Sequence, residues 1–132
     1  MAGENLERVR AGFDRWNAGD RELTDADIHP DFELSSPLSS TRGRPYRGRE
    51  GFELWMRDID EQFDRWQIEI DEFRETDDGR ILAFGRIHLR GRESGIEMDQ
   101  PGAWLIELRE DMFYRMTVWT SRDEALSAAG LA

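Results

Sequence analysis

The hydrophobic period of this chain changes once, near Trp66, and that change restricts the fold more than any other feature. Before it, apolar residues recur every three or four positions; after it, they recur every second position. Leu6, Val9, Phe13 and Trp16 predict an amphipathic helix over residues 5–18, with Gly19 placed to end it. Residues 22–28 allow one short helical piece before His29-Pro30, and Asp31 to Ser36 alternates as a short strand. Pro37 to Arg47 reads as a loop, and Phe52, Trp55, Met56, Ile59 and Phe63 form one stripe of a helix from Arg49 to Phe63. From Trp66 the chain reads as long strands. Trp66, Ile68 and Ile70 alternate, then the phase slips at Asp71-Glu72, which predicts a bulge. Asp77-Asp78-Gly79 turns into a strand over Arg80 to Arg92, and Gly91 to Gly95 turns into another over Ile96 to Arg109, expected to be interrupted at Pro101-Gly102. Glu110-Asp111 turns into Met112 to Thr120, and Ser121 with Glu124 has the capping-box spacing for a last helix over residues 122–129. Helices followed by hairpins make an α+β pattern, in one domain spanning residues 1–132.

Composition narrows the function classes. The chain is 38% hydrophobic with five Trp, enough to fill an interior, and 36% charged, which implies a well-solvated surface. A net charge of −11 disfavours nucleic acid, whose phosphates are bound by displacing counterions with basic side chains. No apolar run approaches the roughly 20 residues that span a bilayer, and the N-terminus lacks a signal-peptide pattern, so a cytoplasmic setting without a membrane partner is expected. With no Cys, thiol catalysis is excluded; with no Lys, so is Schiff-base catalysis. Two His 59 positions apart give no zinc spacing, and Asp25, Asp27, His29 and Asp31 fail as a calcium loop because Pro30 and Ser36 replace its Gly and Glu. No phosphate-binding glycine loop is present, so neither a metal nor another cofactor is expected.

Several motifs carry a resemblance. They are Trp-Asn-Ala-Gly-Asp from Trp16, His-Pro-Asp-Phe-Glu-Leu-Ser-Ser-Pro from His29, and Tyr-Arg-Gly-Arg-Glu-Gly-Phe from Tyr46. Ser94 to Pro101 and Val118 to Leu126 continue the same order. Together they resemble a SnoaL-like domain, a branch of the nuclear transport factor 2-like and ketosteroid isomerase-like superfamily that includes polyketide cyclase-like proteins. The resemblance implies a cystatin-like cone, an α+β roll with N-terminal helices packed in the concave face of a curved, mainly antiparallel sheet. It also implies a cavity at the open end, and a homodimer formed through the outer sheet face, where Phe113, Thr117 and Trp119 are expected.

Strand parity groups Leu82, Phe84, Arg86 and His88 on one face, Trp104 and Ile106 on another strand, and Met116, Val118 and Thr120 on the last. The resemblance places these inside, with Trp16, Trp55, Ile59 and the Ser36-Pro37 strand end. Trp16, Ser36, Trp55, Ile59, Arg86, Trp104, Met116 and Val118 are therefore the expected ligand contacts. His88 is the expected acid or base, since an unperturbed imidazole titrates near pH 6.5. Asp99 is a secondary candidate if a bulge at Pro101 turns it inward. His29, before Pro30, reads as a capping or exposed residue, and Arg42, Arg44, Arg47 and Arg49 read as a solvated cluster or an anion-attracting rim.

Ketosteroid isomerase chemistry is not expected. By that resemblance its general base falls on Ser36, its oxyanion-hole Tyr on Gly12 and its protonated Asp on Trp104, whereas carbon-to-carbon proton transfer requires a base and enolate donors. Three readings stay open: a pocket for a flat, apolar, aromatic or polyketide-like ligand; a cofactor-independent cyclase or isomerase using His88; and an aromatic interior that is plain core.

Overall fold

The structure is a computed structural model, and it describes residues 2–20, 27–36 and 44–131. Residues 22–26 of the expected short helix and residues 37–43 of the expected loop, with Pro37 and Arg42, lie outside the described residues; Ile28, expected in that helix, opens a strand, and Tyr46 and Arg47, expected in the loop, form another. The described elements are helix α1 (Ala2–Asn17), strands β1 (Ile28–Ser35) and β2 (Tyr46–Arg47), helix α2 (Gly48–Gln62), strands β3 (Phe63–Glu75), β4 (Ile81–Gly91), β5 (Glu97–Arg109) and β6 (Met112–Trp119), and helix α3 (Arg122–Ala128). The strands form one sheet in the order β2-β1-β6-β5-β4-β3. Among the described strands only β1 with β6 is a parallel pair; every other neighbouring pair is antiparallel. Phe63, expected at the end of the second helix, instead opens β3 without an intervening loop, and its ring centroid lies 5.0 Å from that of Trp66.

The C-terminus of α1 is tied to the main chain of β3, the edge strand. The Asn17 side-chain amide donates to the Ile68 carbonyl at 2.6 Å and accepts from the Ile68 N–H at 2.8 Å. One residue earlier, the Trp16 indole N–H donates to the Trp66 carbonyl at 2.9 Å. These bonds satisfy edge groups that would otherwise be open to another strand. Gly19, at φ +82°, then turns the chain out of the helix. Helix α2 turns Trp55 and Ile59 inward, and Gly51 lets it approach β2 closely: a Cβ there would lie 2.9 Å from the Tyr46 carbonyl carbon. The Tyr46 hydroxyl donates to Asp58 at 2.7 Å and fastens the same contact.

The expected bulge appears as a register shift between Ile70 and Glu72 of β3. Opposite it, position 85 admits glycine only, because the Glu69 carbonyl takes the place a Cβ would fill. Interruption at Pro101-Gly102 does not occur: β4 and β5 pair without a break from Arg90↔Glu97 to Ile81↔Ile106. The β5–β6 pairing stops at Ala103↔Trp119, so Pro101 has a strand on one side only and its missing N–H costs no ladder bond. Glu110 and Asp111 both take positive φ, 55° and 63°, as a tight hairpin turn requires, and the Ser121 hydroxyl accepts from the Glu124 N–H at 3.3 Å to cap α3.

Register corrects the expected parity of β4. Trp104 pairs with Ala83, so the inner face of β4 carries Ile81, Ala83, Ile87 and Leu89, which join the core of Trp16, Trp55 and Trp104. Leu82 and Phe84 turn the other way and pack with Ala103, Ala125 and Ala129 under α3. Arg122 of α3 stacks over the Phe84 ring at 3.9 Å and pairs with Glu72 at 3.0 Å. Residues 81–84 are all buried, so alternation along this strand carries no information about which side is the core. Phe113, expected outside, lies inside, because a second register shift between Glu107 and Leu108 reverses the phase there.

Asn17→Ala should lower the free energy of unfolding by ~1–3 kcal/mol, the range for stranding polar partners of this kind. Asn17→Asp, which keeps the acceptor and loses the donor, should retain part of it. Urea unfolding checks both, and an Asn17→Ala midpoint equal to that of the wild type would refute the anchoring role.

Candidate functional site

The concave interior holds two cavities separated by aromatic side chains. One, of about 90 Å³, is walled by Phe13, Trp16, Phe52, Trp55, Trp104 and Phe113, with Arg15, Asp20 and Asp27 at its edge. The other, of about 150 Å³, lies between Trp55, Phe63, Trp66, Ile87, Leu89, Trp104 and Val118, with Ser36, Gln100 and Thr120 as polar lining. Trp55 and Trp104 line both. Trp16 and Trp55 have ring centroids 4.9 Å apart at 35°, and the edge of Phe13 meets Trp104 at 5.4 Å and 76°. Each cavity is smaller than the ~300–1,000 Å³ of most small-molecule pockets; an apolar cavity of ~150 Å³ accommodates a single benzene ring.

Polar groups in this interior are few. Trp55 is 6% exposed and Trp104 3% exposed, and among the described residues neither indole N–H donates to a protein acceptor, whereas that of Trp16 does. Neither indole nitrogen is sealed from the cavities, so both donors are open to whatever enters. At the edge of the first cavity the Arg15 guanidinium pairs with Asp20 at 3.1 Å and Asp27 at 3.4 Å. The hydrogen bond to Asp20 raises the Arg15 pKa above its ordinary value, burial opposes this, and the charge of Asp27 adds to it.

The expected contacts divide accordingly. Trp16, Trp55, Trp104 and Met116 line the first cavity, and Ser36, Trp55, Trp104 and Val118 line the second. Ile59, 1% exposed, is core and borders neither. Arg86 is a correction: it lies exposed on the outer face, in register with Pro101. His88 is another. Its place opposite Asp99 puts it on the outer face with Arg86, where Nδ1 is 2.5 Å from the Asp99 carboxylate and Nε2 is 3.8 Å from Glu69. Asp99 therefore does meet His88, but outside the aromatic interior, because no bulge at Pro101 turns it inward. His29 caps locally: its Nδ1 accepts from the Asp31 N–H at 3.0 Å, and its ring meets Tyr114 edge-on at 5.0 Å. Sequence reasoning missed Phe13, Phe52, Trp66, Gln100 and Phe113 as lining residues. Phe13 and Phe52 were visible as helix-stripe positions; Phe113 was hidden by the register shift.

The SnoaL-like domain description matches residues 9–116. The chain belongs to the SnoaL-like domain family. Solved structures agree on the fold: a nuclear transport factor 2-like protein of unknown function from Burkholderia pseudomallei superposes with a TM-score of 0.78 at 16% identity, covering 96% of this chain and 97% of the other. TerC, co-crystallized with polyporic acid, gives 0.76 at 19%, covering 96% and 97%. A SnoaL-like candidate polyketide cyclase from Jannaschia sp. CCS1 gives 0.75 at 20%, covering 98% and 93%. No curated protein matches the chain. Among the described residues no helix is long and apolar enough to cross a membrane, and no group of three His, Cys, Asp or Glu is arranged to hold a metal ion.

Within this SnoaL-like domain the ketosteroid isomerase positions are filled by other chemistry. A Cβ on Gly12 would lie 3.0 Å from the Phe113 ring, so the ring occupies the space where an oxyanion-hole side chain would project. Trp104 presents one N–H, and Ser36 has no carboxylate. Turnover of a 3-oxo-Δ5-steroid should therefore equal that in buffer, and His88→Gln should leave binding to the aromatic interior unchanged. Isomerisation well above buffer, or loss of interior binding in His88→Gln, would contradict this geometry.

Proposed function

We propose that this SnoaL-like domain binds a small, flat, largely apolar aromatic molecule of phenolic, polyketide-like character in its aromatic interior, in a cytoplasmic setting. The observation that carries this reading is the pair of indole N–H groups on the buried Trp55 and Trp104 side chains, which border both cavities, have no protein acceptor among the described residues and are not sealed in the core. A phenol oxygen would accept from one of them while its ring packs on indole faces. Ser36, Gln100 and Thr120 supply further partners for hydroxyl groups in the second cavity. The organic molecule crystallized with TerC and the cyclase assignment of the Jannaschia protein support a small-molecule role on this scaffold. Their identities, at or below 20%, extend the likeness to fold and no further. A cyclase or isomerase version would draw its acid or base from Asp20 and Asp27 at the cavity edge, since His88 faces outward.

Titration with simple phenols, followed by the indole N–H resonances, tests the reading. Signals of Trp55 and Trp104 should shift, and Trp55→Ala should weaken binding by a few-fold to about tenfold, the equivalent of ~0.5–1.5 kcal/mol for an aromatic contact. Unshifted indole signals across a panel of flat phenols and aromatic acids would end it.

The reading includes a homodimer through the outer sheet face, now on a different basis. Phe113 faces inward and Trp119 packs with the cluster under α3, which leaves a face of mixed charge: Arg65, Glu69, Arg86, His88, Arg90, Glu97 and Asp99. Interspersed charges of both signs are self-complementary across a two-fold axis. Sedimentation at roughly tens of micromolar should give a dimer that weakens with salt; a monomer at low salt would exclude it.

A further inference from the structure

The wall between the two cavities rests on an absence of side chains beneath it. Trp104 lies back along its own strand over Gly102: a Cβ on Gly102 would be 2.5 Å from Cη2, 3.0 Å from Cζ3 and 3.1 Å from Cζ2 of the indole. Gly102 pairs across the sheet with Gly85, where the Glu69 carbonyl of β3 takes the place of a side chain, so the depression into which the ring fits is that of Gly102 alone. On either side Trp104 is flanked by small or short residues, Ala83 of β4 and Val118 of β6. From above, Phe13 of α1 meets the ring edge-on. The indole is therefore positioned by what surrounds it, yet no hydrogen bond within the described residues fixes its N–H. Trp55, the other residue common to both cavities, is held by Trp16 and Phe52, with ring centroids at 4.9 and 5.4 Å.

We propose that Trp104, seated on Gly102, is the residue that determines ligand size. With the indole over Gly102, the interior is two compartments of about 90 and 150 Å³, and the larger has the volume that takes one ring. A fused ring system must displace the indole and join the compartments. This inference rests on the small-molecule reading above, and it predicts which members of that ligand class the protein takes: single-ring phenols in preference to linear polycyclic ones.

Three probes of one chemical type separate the possibilities: phenol, 2-naphthol and 2-hydroxyanthracene, which keep the hydroxyl and add one ring at a time. Calorimetric titration should show the wild type binding phenol and losing affinity as rings are added. Trp104→Ala should bind 2-hydroxyanthracene about tenfold or more tighter than the wild type does, because burying the extra rings no longer requires moving an indole. Trp104→Phe, a smaller change that preserves an aromatic core if the alanine variant fails to fold, should shift the preference to 2-naphthol. An unchanged size ranking in both variants, with phenol still bound by the wild type, would overturn the proposal.

Xenon under pressure reads the partition without any organic ligand. It should occupy two separate sites in crystals of the wild type and one continuous volume in Trp104→Ala; one continuous volume in the wild type would overturn the partition. If xenon behaves as expected but no phenol binds any form, the ligand reading fails and takes the size preference with it, while the partition stands. Gly102→Ala completes the test. It should lower Tm by roughly 2–6 °C where the indole is present and by little in the Trp104→Ala background, since the added methyl then meets no ring. Equal losses in the two backgrounds would show that Gly102 does not seat Trp104.

Discussion

The grip of Asn17 on the main chain of Ile68 is the contact on which the rest of this structure depends. A curved sheet has an apolar concave face that must be covered, and α1 covers it only if its C-terminal turn is fixed against the strand at the sheet edge. A side-chain amide bonded to both the N–H and the carbonyl of one residue imitates a neighbouring strand for a single step. The adjacent Trp16 bond to the Trp66 carbonyl sets the rotation of the helix, so that Val9, Phe13 and Trp16 face inward. The anchor thereby sets one wall of both the core and the cavity. It also closes the edge of β3, which would otherwise be long and unpaired.

Once the helix is seated, the interior is defined by a contest between large aromatic rings and missing side chains. Phe113 projects over Gly12 and Trp104 over Gly102, two places where a large ring occupies the space of a neighbour that has none. Such pairings keep the interior dense while leaving seams where rings of fixed shape do not tile. The two cavities are those seams, and their polar content is small: a guanidinium held by two carboxylates at one edge, and hydroxyl and amide groups at the other. The interior favours apolar contact and leaves a few directional bonds to orient what enters.

The outer face has different chemistry. Leu82 and Phe84 are buried there by α3, while Arg86, His88 and Arg90 further along the same strand stay among carboxylates of β3 and β5. A strand that begins buried on both faces and ends buried on one defeats any assignment by alternation, and for that reason His88 and Arg86 were misplaced. Trp16, Trp55, Trp104, Met116 and Val118 lie in the interior, where the resemblance and not alternation put them: Ala103, Leu105 and Trp119, next to Trp104 and Val118 in the chain, pack in the cluster under α3 on the other face.

The sequence by itself determined the two long helices, the four long hairpin strands and the last helix, though not the short β2 at Tyr46–Arg47, together with their ends at Gly19, Gly79 and Ser121, the β3 bulge, and membership of a scaffold that encloses a cavity. These are local properties: a period, a turn residue or a cap acts over a few positions and leaves a readable pattern. Tertiary structure alone decided which face of β4 meets the core, that Phe113 turns inward, that Pro101 interrupts nothing, and that Trp104 divides the interior. Each of these depends on strand register and on what a distant segment covers. A shift of one residue in register exchanges the two faces of a strand without altering its composition.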